Sequence, residues 1–150
     1  MQNNNNRIED QIILETLTKV KNPLGDLYHI SKSNEFLEKV KEIYASTVLP
    51  GHFKGWKKHI KMTQKLVVPM GNVEFLLFDD RVSINKKMQS IIIGVDNYQR
   101  LIIPPNVWYG FRCHGDGVAI IINTPDMTHD PTEVERLPLD NDYIPIHLEN

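Results

Sequence analysis

From Ile12 onward, apolar residues arrive in short bursts of three to six positions, many of them β-branched, and polar turn clusters separate the bursts at intervals typical of sandwiches and barrels. Most bursts are too short for ordinary helices. They predict strands over Lys65–Val68, Val73–Phe78, Ser90–Gly94, Leu101–Ile103, Val107–Arg112 and Val118–Ile122. Gly71-Asn72 reads as a hairpin turn, Asp79-Asp80 as a strand end, and Pro104-Pro105-Asn106 as a hard turn; Gly115-Asp116-Gly117 tolerates positive φ. Further upstream, Gly25–Ile30 reads as a turn leading into a strand.

The stretch Asn34–Leu49 fits two periods. Phe36, Leu37, Val40, Ile43 and Tyr44 make a helical stripe, whereas Ile43, Ala45, Thr47 and Leu49 alternate strictly. A short helical turn at 34–39 followed by a strand at 41–49 satisfies both. After Asn123 the chain turns polar and is marked by prolines, with one helical turn expected at Thr132–Arg136. Many short antiparallel strands in one small domain imply an all-β, two-sheet sandwich or jelly roll.

Composition narrows the function classes. The 150 residues suffice for one core, and 17 basic against 19 acidic side chains leave a net charge of -2. That balance argues against a nucleic-acid or membrane surface as partner. A lone Cys113 gives neither an internal disulfide nor a thiolate metal site. No apolar run approaches the roughly 20 residues of a membrane span, and the polar start lacks signal-peptide character, so a cytoplasmic protein is expected. The average conceals a local bias, however: from Lys54 to Lys65 there are five lysines and His59, with no acid.

Within that basic stretch, period-two geometry puts Lys57 and His59 on one face and Trp56 and Lys58 on the other. Gly51, Lys57, His59, Gln64 and Gly71 have the spacing of the first cupin motif, and Pro104-Pro105-Asn106-Val107-Trp108-Tyr109 is similar to the second. The resemblance implies a cupin jelly roll, a double-stranded β-helix, as a single domain over 11–150; the polar, asparagine-rich composition of the start predicts disorder over 1–10. At the four positions where cupins hold a metal stand Lys57, His59, Gln64 and Tyr109. Only His59 is a good first-row ligand, and a protonated lysine repels a cation, so no metal and no cofactor is expected.

Among metal-free cupins the chain resembles the dTDP-4-dehydrorhamnose 3,5-epimerase family from about Leu17 onward. Lys54-Gly55-Trp56-Lys57 stands where that family has Arg-Gly-Leu-His, Ile103–Phe111 is similar to its Ile-Pro-x-Gly-Phe-Ala-His-Gly-Phe, and Val73–Arg81 to its strand ending in Asp-x-Arg. The family histidine, which removes the proton next to the C4 keto group, is Lys57 here. A lysine titrates near 10.4 and would serve as a base only if that value fell by about 3. Charged, Lys57 suits an enolate oxygen or a diphosphate. His59 is the better base, because Lys57-Lys58-His59 with Gln64 is also similar to the His-Ala-His-Lys motif and following glutamine of sugar-nucleotide 3,4-ketoisomerases.

The resemblance assigns Tyr109 as acid or proton relay and Asp142, or equally Asp140, as the carboxylate that orients the base. Lys54 would meet the diphosphate, and Trp56, Trp108 and Gln64 would meet substrate. Core packing is the competing use of both tryptophans. The expected function is a metal-independent epimerase or keto isomerase for a nucleotide-diphosphate 4-keto-6-deoxy sugar in surface polysaccharide biosynthesis. A non-catalytic sugar-nucleotide-binding cupin is the alternative, opened by the loss of the family histidine. Exposed sheet edges make a homodimer the expected assembly.

Overall fold

The computed structural model describes residues 10–32, 39–81 and 85–146. Twelve strands are assigned among them: β1 (Ile13–Thr16), β2 (Lys19–Val20), β3 (Leu27–Tyr28), β4 (Tyr44–Val48), β5 (Phe53–His59), β6 (Gln64–Met70), β7 (Asn72–Asp79), β8 (Lys87–Gly94), β9 (Gln99–Ile103), β10 (Trp108–Cys113), β11 (Ala119–Asn123) and β12 (Val134–Arg136). One five-stranded sheet runs β1-β9-β6-β11-β4, a second runs β12-β5-β10-β7-β8, and β2-β3 form a small ribbon. The pairings are antiparallel, and the two large sheets make a cupin jelly roll. No helix among the described residues is long and apolar enough to cross a membrane.

All six strands expected from β-branched bursts are present, each displaced or extended by one to three residues. The strand expected at 41–49 is Tyr44–Val48. Almost all of the helical turn expected at 34–39 and of the 1–10 terminus lies outside the described residues. The turn expected at Thr132–Arg136 is corrected. Pro131–Glu133 forms a single 3-10 turn, capped by the Asp130 carboxylate on the Thr132 N–H, and Val134–Arg136 is a strand. Edge position explains the difference: β12 satisfies the open side of β5, pairing Val134 with His59 and Arg136 with Lys57.

Alternation sorts the side chains into two clusters. Between the sheets pack Leu66, Val68, Phe75, Leu77, Ile93, Leu101, Tyr109, Phe111 and Ile121 with their neighbours. On the outer face of the second sheet, Phe53, Trp56, Leu76, Phe78 and Trp108 are covered by Ile144, Leu137 and Leu139 of the C-terminal tail. The tail therefore buries apolar surface that would otherwise face water.

A bulge breaks the register of β5 against β10. Tyr109 lies opposite Lys57, but Phe111 lies opposite Lys54, so three residues of β5 span two of β10. Gly110 makes room for it, because a Cβ there would sit 2.2 Å from the Phe53 ring. As a result Lys54 and Lys57, three apart in sequence, both stand over the Phe111 ring, at 5.9 and 5.4 Å.

Candidate active site

The inward phase of β5 carries Lys57 and His59 to one end of the barrel, where they line a cavity of about 370 Å³ with Glu42, Tyr44, His129, Val134 and Arg136. His59 is buried, and both of its ring nitrogens are engaged. Nδ1 meets the Glu133 Oε1, and Nε2 lies 3.2 Å from the Tyr109 hydroxyl. The Tyr109 ring stacks on the imidazole at a centroid distance of 6.0 Å.

Glu133 is placed by the 3-10 turn over the end of β5. Its Oε2 accepts from the backbone N–H groups of Ile60, Lys61 and Met62 at 3.1, 3.1 and 3.2 Å. Burial alone would raise its pKa, but His59 and these backbone donors outweigh it and hold the carboxyl below its ordinary range. An ionised carboxylate only accepts, so the proton in the Glu133–His59 contact sits on Nδ1 and the lone pair on Nε2. Burial pushes the imidazole pKa below its ordinary value against the pull of Glu133, and Lys57 and Arg136 push the same way. The ring is neutral at physiological pH and has the tautomer a general base needs.

Of the cavity's Lys57 and Arg136, Lys57 is the more buried cation. Burial, then Arg136 and Lys54, bring its pKa down to about 8, so at neutral pH it is still mostly charged. Its Nζ stands 5.1 Å from the Tyr109 ring centroid. Burial raises the Tyr109 phenol well above its ordinary value, which keeps it protonated.

The structure thus brings His59, Lys57 and Tyr109 together, with Gln64 behind them. Gln64 is buried, accepts from the Asn123 amide, and shares with Lys57, Tyr44 and Tyr109 a small chamber beneath the cavity. The other expected positions fall elsewhere. Trp56 and Trp108 face away from the cavity into the outer cluster, as the alternation of β5 and β10 requires. Asp142 is exposed, in a tail turn whose neighbour Tyr143 donates to Asp80, and the carboxylate on His59 is Glu133 instead. Lys54 donates to the Thr47 carbonyl at 3.0 Å, beside Lys57 and outside the cavity lining.

Sequence reasoning missed Glu133, Arg136, Tyr44, Glu42 and His129. For Glu133 the available signal was Asp130-Pro131-Thr132-Glu133, a cap and proline that set a turn and place an acid three residues after the cap.

No family model matches the chain. A probable low-salt glycan biosynthesis epimerase of Haloferax volcanii is 33% identical over 103 residues, a match spanning 65% of each chain. The crystal structure of a dTDP sugar isomerase from Desulfovibrio desulfuricans G20 superposes with a TM-score of 0.83 at 35% identity, covering 90% of this chain and 88% of that one. The chain belongs to this dTDP-sugar epimerase and isomerase family of cupins. The fold is further shared, at 20% identity and a TM-score of 0.69, with QdtA, a sugar 3,4-ketoisomerase from Thermoanaerobacterium thermosaccharolyticum crystallised with TDP. That match covers 84% of this chain and 88% of QdtA.

Proposed function

We propose that the protein is an epimerase or keto isomerase acting on a TDP-linked 4-keto-6-deoxy sugar in polysaccharide biosynthesis. The observation that carries this reading is the His59–Glu133 pair: a buried, neutral imidazole whose lone pair is fixed on Nε2 beside a cation-lined cavity. Epimerisation and keto isomerisation both begin with removal of a proton next to the carbonyl, giving an enediolate. His59 takes that proton, and Glu133 orients the ring and stabilises the imidazolium that forms. Tyr109, whose O–H donates to Nε2 in the free site, gives up that lone pair to the substrate C–H, and Lys57 with Arg136 offsets the negative charge of the enediolate or the diphosphate. A binding module without chemistry is not favoured, because the proteins that this chain resembles at 33 to 35% identity are named as an epimerase and an isomerase.

The pH profile tests this division of labour. His59 works only when neutral, so kcat/KM is full above its lowered pKa and falls as pH drops through a value below 6.5. Lys57 works only when charged, so kcat/KM also falls as pH rises through about 8. With a TDP-linked 4-keto-6-deoxy sugar followed by NMR, we expect a bell with these two limbs. Lys57→Arg, which stays charged, moves the alkaline limb upward. A profile flat between pH 6 and 9 in the wild type would sink the assignment of Lys57.

The homodimer remains part of the proposal. Its support is the open edge strands β1, β4 and β8, which carry the exposed apolar side chains Leu14, Tyr44 and Ile92. Light scattering behind a sizing column should read twice the chain mass of 17.4 kDa; a reading of one chain mass refutes it.

A further inference from the structure

The outer face of the second sheet is covered by the segment that follows β12 in the chain. After Arg136 the backbone stays paired with β5 for one more residue: the Trp56 N–H donates to the Leu137 carbonyl at 3.3 Å, and the Leu137 N–H to the Trp56 carbonyl at 3.1 Å. Asn141 then turns the chain. Its Nδ2 donates to the Pro138 carbonyl at 2.8 Å, and its Oδ1 accepts from the N–H groups of Tyr143 and Ile144 at 3.0 and 2.8 Å. Leu137, Leu139, Ile144 and Ile146 come down on Phe53, Trp56, Leu76, Phe78 and Trp108. At the far end the Tyr143 hydroxyl donates to Asp80, its ring meets the Phe78 ring edge-on at 5.9 Å, and the Lys86 Nζ stands 5.0 Å from it. The segment thus reaches from β12 on one edge of the sheet to the ends of β7 and β8 on the other.

The near end of this segment is the cavity wall. Glu133, which holds the His59 Nδ1, directly precedes β12, and Val134 and Arg136 of β12 line the cavity. β12 is three residues long and has β5 as its neighbour on one side only, with the Lys58–Glu135 ion pair at 2.7 Å across the two. So short an edge strand is not stable on its own pairing and leans on the outer cover that continues it. That cover carries a cost. The indole N–H groups of Trp56 and Trp108 are buried with no acceptor, so docking the segment takes two donors out of water without replacing their partner. The docked segment therefore gives way locally before the barrel does.

Resting on the proposed binding of a nucleotide diphosphate against Lys57 and Arg136, we infer that residues 137–146 form a strap coupled to the cavity through β12. Docked, the strap keeps Arg136 on the cavity wall and Glu133 on His59. Undocked, β12 loses its outer support and both side chains lose their places. A diphosphate that engages Arg136 favours the docked state, and by the same free energy the docked strap raises the affinity for the diphosphate. The strap needs no contact with ligand for this. Ile144 packs against Trp56 and Trp108 on the face of the sheet that points away from the cavity, and it acts on the site only by holding β12. Its residues are positioning residues.

Both tryptophans of the chain, Trp56 and Trp108, lie under the strap, so its docking can be read from their fluorescence without a label. Acrylamide, a neutral quencher, should reach them in the free wild type, and saturating TDP should lower the quenching constant. Ile144→Ala trims the strap's most buried apolar side chain and leaves the core between the sheets intact. It should raise the quenching constant and weaken TDP binding in calorimetry by about fivefold or more, with TDP returning the quenching to the wild-type level. Tyr143→Phe loses only the hydroxyl bond to Asp80 at the exposed far end, so it keeps the fold and should move both readings the same way by a smaller factor. TDP that binds the wild type without changing its quenching overturns the coupling. So does wild-type TDP affinity in folded Ile144→Ala or, should that variant not fold, wild-type affinity and quenching in Tyr143→Phe. Failure of the underlying reading looks different: the wild type then gives no binding heat with TDP, and the coupling falls with it.

Discussion

Glu133→Gln leaves the protein folded and lowers turnover by about 10³-fold to 10⁴-fold. The three backbone donors of Ile60, Lys61 and Met62 need an oxygen, and the glutamine carbonyl supplies it in place of Oε2. The amide NH₂ then takes the position of Oε1 and presents a donor to the His59 Nδ1. Nδ1 must accept, its proton moves to Nε2, and the lone pair that would remove the substrate proton is gone. Nitrogen-resolved NMR of the imidazole should show the tautomer reversed, a signature that a purely structural role would not move. Glu133→Ala has a different outcome. It strands three backbone donors at about 1–3 kcal/mol for each that water does not reach, and the loss appears in thermal or denaturant melting before it appears in kinetics. Glu133→Gln activity within tenfold of wild type would show that the carboxylate has no part in orienting the base.

His59→Asn is expected to abolish turnover, by about 10²-fold to 10⁴-fold or beyond detection, with little effect on affinity for TDP. The asparagine Nδ2 can replace the Nδ1–H donor to Glu133, so the buried carboxylate keeps a partner and the fold is retained. Its amide has no basic lone pair. The cation-lined wall of Lys57 and Arg136 is untouched, so TDP titration by calorimetry should give a Kd within about threefold of wild type. Lys57→Ala should reverse the pattern, raising KM more than it lowers kcat, because it removes a charge without removing the base. If His59→Asn loses TDP binding and turnover together while remaining folded, His59 belongs to ligand binding and the base lies elsewhere.

Much of the barrel was legible because its strands alternate with turn residues whose chemistry is local. Val73–Phe78 between Gly71-Asn72 and Asp79-Asp80 needed no tertiary information to be read as a strand. The same alternation put Lys57 and His59 inward and Trp56 and Lys58 outward, and the structure keeps that phase. Period two cannot see a bulge, so the return of Lys54 to the side of Lys57 was invisible without the β10 register. Long-range pairing hid the rest. Glu133 lies 74 residues from His59, and nothing local shows that the segment after Pro131 closes the free edge of β5. The tryptophans illustrate the converse, since family spacing suggested substrate contact while their phase assigned them to the face that the C-terminal tail covers. Tyr44 carries no motif, and its place in the cavity lining and its bond to Asn123 on the neighbouring strand are set by long-range pairing.

The central claim is that His59 removes a proton from the carbon next to a keto group, and isotope exchange reads that step directly. With the protein in D₂O and a TDP-linked 4-keto-6-deoxy sugar, the wild type should wash deuterium into C3 or C5, seen as loss of the corresponding proton resonance, and His59→Asn should not. Equal exchange by the two proteins, or no exchange by folded wild type with several such sugars, would contradict the account.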